Sequence, residues 1–352
     1  MNVAQDCPVV ERCGGCPLLL QSLAEERAIK FAVLERLHSD LKTAAPPVEF
    51  VTFHQRIGYR NRIRLRIDET GKIGFFNSDK SPDCAILMPA LRHIIALLHD
   101  WSDSYSSLLV PFAHLEARAP DRDGNSGLFL TRKNGAELSK SAIADIATSL
   151  NNQCVATDAD TDMPQQRFDI DGATYQWVPL NGFLQVNFEV NRTLTEHVAH
   201  GARTRGLKSF ADLFCGSGNF ALPLARAGLT GAGVERISTC RSAATQAARE
   251  QGLAGVRFTD GDAITTCRHW LAEGQHFDAV ILDPPRAGVR DGLDVLMALA
   301  RRTIVYCSCN PESLTRDLQT LEAGGWQLEQ LTGFDMFPGT VHLESVAWLS
   351  RN

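Results

Sequence analysis

The chain has 352 residues, 44% of them hydrophobic and 22% charged, with no low-complexity tract, which excludes a disordered or fibrous protein and leaves room for about two domains. Its formal net charge of −6 argues against a protein that coats nucleic acid indiscriminately, because such binding rests on many Lys and Arg contacts to phosphate, but a local basic face stays open. No apolar run reaches the ~18 residues of a membrane span, and Asp6, Glu11 and early cysteines stand where a signal peptide places basic and then apolar residues, so a cytoplasmic protein with no membrane partner is expected.

Ten cysteines are too few for a disulfide scaffold of this length, and in a reducing compartment clustered cysteines point to metal binding or catalysis. Only Cys7, Cys13 and Cys16 crowd together. Residues 18–37 then read as a helix, with Leu20, Leu23, Phe31 and Leu34 near helical spacing, ending ahead of Pro46-Pro47. From residue 62 to 67 arginine alternates with Ile or Leu, which puts Arg60, Arg62, Arg64 and Arg66 on one strand face, with Arg56 and Tyr59 nearby. Residues 69–72 read as a hairpin turn and 73–76 as its return strand. Strand-like segments at 127–131, 166–170 and 174–178 make this half mixed or mostly β, and the polar stretch 155–166 reads as a loop.

After residue 181 the pattern becomes regular: strands at 209–214, 230–235, 255–259, 278–283 and 303–307 alternate with helices at 219–228, 238–251, 263–272 and 290–301. Such alternation implies βαβ units and a parallel sheet whose ligands bind at the carboxyl ends of the strands. The division predicted is residues 1–180 and 181–352.

Those strand ends carry the chemistry. Asp212-Leu213-Phe214-Cys215-Gly216-Ser217-Gly218-Asn219-Phe220 closes the first strand with a glycine loop, Glu235 ends the second, Asp262 follows the third and Asp283-Pro284-Pro285-Arg286 the fourth. Each acid alone reads equally well as a helix N-cap or a solvated loop, and the glycine loop also suits a dinucleotide. The acids after strands three and four favour S-adenosylmethionine. After the fifth strand comes Tyr306-Cys307-Ser308-Cys309-Asn310-Pro311, where Pro311 suits a helix start whose positive end favours a thiolate. Glu344 lies in a strand-like segment, Val341 to Trp348, where an acid needs a task or a partner.

The segments DLFCGSGNF (212–220), LDPPR (282–286), YCSCNP (306–311) and FPGTVHLES (337–345) together resemble the RNA uracil-5-methyltransferase family, over essentially the whole chain. The resemblance implies a Rossmann-like class I methyltransferase domain with a mostly parallel seven-stranded sheet, and an amino-terminal mixed or β-rich iron-sulfur domain. It implies Cys309 as nucleophile and Glu344 as general base, with Gln185, Phe214, Asn219, Glu235, Asp262 and Asp283 lining the S-adenosylmethionine pocket. Cys7, Cys13, Cys16 and Cys84 resemble the family's 4Fe-4S ligands; by spacing alone a zinc site competes. Many members carry a further amino-terminal RNA-binding β-barrel, and with six residues ahead of Cys7 that module is expected to be absent. Members with the cysteine cluster mostly act on large-subunit ribosomal RNA and others on transfer RNA, so a monomer acting on ribosomal RNA is expected, with the arginine face on phosphate.

Two other functions compete. An RNA cytosine-5-methyltransferase typically has cysteine directly after Asp-x-Pro, where Arg286 stands here. A non-catalytic iron-sulfur RNA-binding regulator has no need of Cys309, Glu344 and the cofactor acids together.

Overall fold

The computed structural model describes residues 7–41, 48–75, 83–136, 141–150, 154–158 and 163–351. A short helix α1 (Val10–Cys13) is stopped by Gly14, whose φ of 67° is the left-handed conformation that glycine adopts without steric cost. Helix α2 (Leu23–Ser39) begins with a full capping box: Ser22 accepts the Glu25 N–H, and the Glu25 carboxylate accepts the Ser22 N–H. This helix starts later than residue 18, and its buried face is Glu26, Lys30, Leu34 and Leu37, while Leu20 is exposed. Two charged residues thus occupy the inward stripe, which the apolar spacing alone misplaced.

Strand β1 (Glu49–Val51) leaves the amino-terminal part to pair, parallel, with β14 far along the chain. Strands β2 (Arg62–Ile67) and β3 (Ile73–Gly74) follow, the expected return strand being shorter than 73–76, with Phe76 outside the described residues. Helix α3 (Pro89–Leu109), β4 (Phe112–Arg118), β5 (Ser126–Arg132), α4 (Ala142–Ser149) and β6 (Cys154–Thr157) complete a five-stranded sheet in the order β3-β2-β4-β5-β6. Its core is built from alternate strand residues, Ile63, Leu65 and Ile67 among them, against Leu91, Ile94, Ile95 and Leu98 of α3. The polar stretch expected as a loop therefore opens with a strand, and the half expected to be mostly β has a long helix. Strands β7 (Gln165–Asp169) and β8 (Tyr175–Pro179) form a separate antiparallel pair.

Helix α5 (Phe188–Thr204), capped by the Asn187 side chain on the Val190 N–H, leads into the second sheet. There β9 (Ser209–Leu213), α6 (Ala221–Arg226), β10 (Thr230–Glu235), α7 (Ser238–Glu250), β11 (Val256–Asp260), α8 (Ala263–Ala272), β12 (Phe277–Leu282), α9 (Leu293–Leu299) and β13 (Ala300–Ser308) alternate as the sequence predicts, and α10 (Pro311–Ala323), β14 (Gln327–Phe334), which the sequence reading passed over, and β15 (Glu344–Ser350) follow. The strand order is β1-β14-β15-β13-β12-β9-β10-β11, parallel except for β15, which runs antiparallel to both β13 and β14. The sheet thus has eight strands instead of seven, because β1 joins its edge. Apolar clusters cover both faces, which is why strands such as Phe277–Leu282 read as nearly continuous apolar runs. Among the described residues no helix is long and apolar enough to cross a membrane.

Candidate active site

At the carboxyl end of β9 the backbone turns through Phe214 (φ 63°), Gly216 (φ 54°) and Gly218 (φ 92°). A side chain on Gly216 would meet nothing within 4 Å, so the loop opens onto free space. Glu235, at the end of β10, accepts the Gly216 N–H at 3.0 Å and the Ile237 N–H at 2.7 Å, fixing the neighbouring loop ends to each other. Asn219 exchanges two amide hydrogen bonds, 2.9 and 3.0 Å, with Asn191 of α5. Asp262 is exposed and caps α8 through the Thr265 N–H at 2.9 Å, a bond that holds its carboxyl below the usual range. The N-cap alternative is therefore realised.

The segment from residue 181 to 187 crosses to these loops: the Thr239 hydroxyl donates to Asn181 Oδ1 at 3.0 Å at the start of α7. Gln185 is buried within it, its carbonyl accepting Asn61 Nδ2–H at 2.7 Å. Arg118, almost fully buried at the end of β4, donates to the carbonyls of Pro179, Leu180 and Gly182 and pairs with Glu116. That guanidinium locks the five-stranded sheet to the segment bearing Gln185. Sequence reading passed over Asn191, Arg118 and Asp212. Asp212 is fully buried in β9 with neither carboxylate oxygen in a full hydrogen bond. Burial, and after it the charge of Asp283, push its carboxyl well above the usual range, against a smaller opposing effect of the Ala221 amide. An acid inside the apolar strand Ser209–Leu213 was the available signal.

Cys309 and Glu344 meet through strand register. The β13–β15 pairing ends with Ser308 facing Ser345, so Cys309, which follows β13, and Glu344, which opens β15, lie at the same end of that strand pair, within electrostatic reach of each other. Glu344 is 3% exposed, and no side chain among the described residues donates a hydrogen bond to it. Burial and then Asp283 raise its carboxyl well above the usual range. The half-buried Cys309 thiol is pushed up to about 11 by burial, then by Glu344 and Asp283, with Arg286 opposing. Asp283 itself rises to about 7 through burial. Asn310 caps α10 through the Glu312 N–H at 3.2 Å and donates to the Arg286 carbonyl at 2.8 Å, holding the loop after β12 against the loop after β13. A thiol, two acids and an arginine thus lie together at the carboxyl edge of the sheet, the arrangement needed for a nucleophile and a base acting on neighbouring atoms.

The cysteine-rich segment lies elsewhere. Cys7 and Cys16 pack with Leu19, Ala85 and Ile57, and all four of Cys7, Cys13, Cys16 and Cys84 are free thiols. Burial, followed by Cys84, Cys13 and Cys7, pushes the Cys16 thiol up to about 12, so the four lie within electrostatic reach of one another. Among the described residues no group of three or more His, Cys, Asp or Glu side chains forms a ready-made metal site.

The arginine face is smaller than the alternation predicts. Arg56 is buried, donating to the carbonyls of Leu18 and Gln21 and pairing with Glu26. Tyr59 is buried too, its hydroxyl spent on the Pro338 carbonyl at 3.1 Å, so it offers no stacking surface. Arg60 precedes the strand and bonds the Arg62 carbonyl. Arg62 pairs with Glu116 and lies 4.6 Å from the ring centroid of Phe183, an aromatic that is 56% exposed. Only Arg64 and Arg66 stand fully outward.

A parallel sheet with one antiparallel strand set inside it, and with glycines and acids gathered at its carboxyl edge, defines a class I S-adenosylmethionine-dependent methyltransferase. The model of the tRNA (uracil-5-)-methyltransferase family matches residues 269–352. A 23S rRNA (uracil(1939)-C(5))-methyltransferase RlmD of Edwardsiella ictaluri is 33% identical over 98% of this chain and 81% of its own length, and that of Aeromonas hydrophila is 31% identical over 99% and 83%. In fold, the chain is similar to the tRNA (uracil-54, C5)-methyltransferase of Pyrococcus abyssi in complex with S-adenosyl-L-homocysteine, with a TM-score of 0.69 at 21% identity over 95% of this chain and 85% of that one. The chain belongs to the RNA uracil-5-methyltransferase family, and it is an S-adenosylmethionine-dependent enzyme.

Proposed function

We propose that this enzyme methylates carbon 5 of a uridine in 23S ribosomal RNA through a covalent adduct on Cys309, with Glu344 as the base that resolves it. The observation that carries the reading is the closeness of Cys309 and Glu344 where the β13–β15 pair ends. The ribosomal target follows the relatives from Edwardsiella ictaluri and Aeromonas hydrophila, which are named for 23S rRNA.

The pocket suits S-adenosylmethionine: an open glycine loop, the unpartnered Ser217 hydroxyl and Asp212 carboxylate beneath it, and acids at Glu235, Asp262 and Asp283 for an amino-acid, ribose and adenine group of net positive charge. Gln185, Phe214 and Asn219 complete its wall. When bound, it supplies a methyl group activated on a sulfonium. Carbon 5 of uracil is too weak a nucleophile for that methyl on its own. The Cys309 thiolate adds to carbon 6, forming the C–S bond and moving an electron pair to carbon 5, which would take the methyl as the sulfonium's bond to it breaks and the electron pair stays on that sulfur as a neutral thioether. Carbon 5 now bears methyl and its original proton; Glu344 accepts that proton, the electron pair re-forms the 5,6 double bond, and the C–S bond breaks to return the thiolate. A stacked base cannot be enclosed in this way, so the target is single-stranded or flipped out.

Cys7, Cys13, Cys16 and Cys84 suit a 4Fe-4S cluster: four unpaired thiols beside an apolar lining, where bound iron would tie residues 7–16 to the loop at 84. Residues 1–180, through Arg64 and Arg66, supply the RNA-contacting face, and 181–352 the methyl-transfer chemistry.

The test is a pair of variants with RNA and methyl-labelled cofactor. Cys309→Ala loses turnover while keeping cofactor affinity, and Glu344→Gln leaves labelled RNA bound to protein through denaturation. Free methylated RNA released over many turnovers by Glu344→Gln would remove Glu344 from the role of base.

A further inference from the structure

Helix α2 buries a lysine and a glutamate completely, an arrangement that is costly unless the two charges are paired. Lys30 Nζ lies 2.8 Å from Glu26 Oε1 and 2.5 Å from Asp335 Oδ1, and donates to the Phe337 carbonyl at 3.1 Å. Glu26 answers twice: Oε1 accepts the Gly339 N–H at 2.5 Å, and Oε2 pairs with the Arg56 guanidinium at 2.8 Å. Two cations and two anions balance, so the group carries no net buried charge.

What the four charges hold is one stretch of chain. Asp335, Phe337 and Gly339 lie nine, seven and five positions before Glu344, and the neighbouring Pro338 carbonyl accepts the Tyr59 hydroxyl. The Leu18 N–H donates to the Gly339 carbonyl at 2.9 Å, and at Gly339 (φ 81°) a side chain would meet Leu19 at 3.1 Å. β14 ends at Phe334, opposite Glu344 itself, so residues 335–343 form a closed loop whose two ends are neighbours in the sheet. The apolar sheet contacts fix the ends; α2 fixes the middle.

We infer that Lys30, with Glu26 and Asp335, is a positioning residue for Glu344: the buried charge group sets the 335–343 loop and hence the aim of that carboxylate at carbon 5. It rests on the proposed role of Glu344. The neighbouring Cys309 is held independently by β13 and the Asn310 cap, so the two halves of the cycle separate in their dependence on α2.

The consequence is a selective defect. Lys30→Met should leave cofactor affinity and the single-turnover rate of methyl transfer within about two-fold of the parent, while release of methylated RNA slows ten-fold or more and the protein–RNA adduct accumulates. A purely structural role would lower cofactor binding, methyl transfer and release together, in step with the folded fraction. Tyr59→Phe, which removes only the bond to Pro338, keeps the test decisive should Lys30→Met fold poorly: it should show the same adduct, to a lesser extent. If Glu344→Gln traps the adduct and neither of these variants does, the positioning role is wrong; if Glu344→Gln itself traps none, it is the reading of Glu344 that fails.

Discussion

The Tyr306 hydroxyl donates to Asp317 Oδ2 at 2.6 Å, and the same oxygen accepts the Val289 N–H at 2.8 Å. Asp317 is buried in α10, with Arg316 on its other oxygen, and through these bonds it pins the loop that follows Asp283 and carries Arg286. Gly288 (φ 74°) passes so close that a side chain there would collide with Asp317 and Arg316. Tyr306→Phe removes one hydrogen bond to a buried charged group and should lower stability by about 1–3 kcal/mol. Because the loop at Arg286 loosens, methyl transfer should also slow several-fold at 25 °C, where the variant remains folded. Chemical denaturation and single-turnover rates check the two parts separately.

Asp283 binds its proton more tightly in the folded protein than in the unfolded chain, its carboxyl standing at about 7 because of burial. Between pH 4 and pH 7 the folded state therefore holds more protons, and stability from this group falls as pH rises through that window and levels off above it. Asp283→Asn should flatten that slope, so that urea midpoints of the cofactor-free protein at pH 5 and pH 8 move closer together. An unchanged difference would place the titration on other groups, Asp212 and Glu344 first.

The same crowding of acids makes the Cys309 thiol responsive to the cofactor. S-adenosylmethionine carries a positive sulfonium and S-adenosylhomocysteine does not, so the former should draw down the thiol now pushed up to about 11 by burial, Glu344 and Asp283. At pH 8 iodoacetamide should alkylate Cys309 several-fold faster in the S-adenosylmethionine complex than in the homocysteine complex, as peptide mass spectrometry reads it. Equal rates would mean that the charge is not felt at the sulfur. Buried Cys307 should stay unmodified in both.

Arg64 and Arg66 are the outward arginines of β2, and their joint replacement by alanine should weaken RNA binding and flatten its dependence on salt, with no change in melting temperature. Arg56→Ala should do the reverse, lowering stability because Glu26 Oε2 loses its cation, while adding nothing to the salt dependence. Filter binding at several salt concentrations, beside thermal melts, distinguishes them.

Anaerobically purified protein should be brown and hold about four irons, and Cys13→Ala or Cys84→Ala should lose iron and soluble protein together. Stoichiometric zinc without visible absorbance would refute the cluster.

The catalytic half was legible because strands buried on both faces read as unbroken apolar runs, and the residues that end them stand out by contrast: Glu235, Asp283 and Cys309 all sit at such ends. The amino-terminal half hid its logic in tertiary pairing. Glu26 and Lys30 look like a solvent-facing pair one helical turn apart until Asp335 and Arg56 arrive from distant sequence. Arg56 and Tyr59 look like RNA-binding residues for the same reason. Asn191 is an unremarkable amide inside a helix, and nothing local signals its exchange with Asn219.

The short strand β1 has a consequence for how the chain is made. Glu49 pairs with Thr332 and Val51 with Phe334, so an early strand finds its edge only after nearly all of the protein has left the ribosome. Until then α2 lacks β14, and Lys30 lacks Asp335. The five-stranded sheet, whose partners all fall between residues 62 and 157, can close first and hold the leading segment in waiting. Assembly of the 335–343 loop is thereby deferred to the end of synthesis, and a nascent chain stalled short of Phe334 would carry the glycine loop and Cys309 without Asp335 or Glu344.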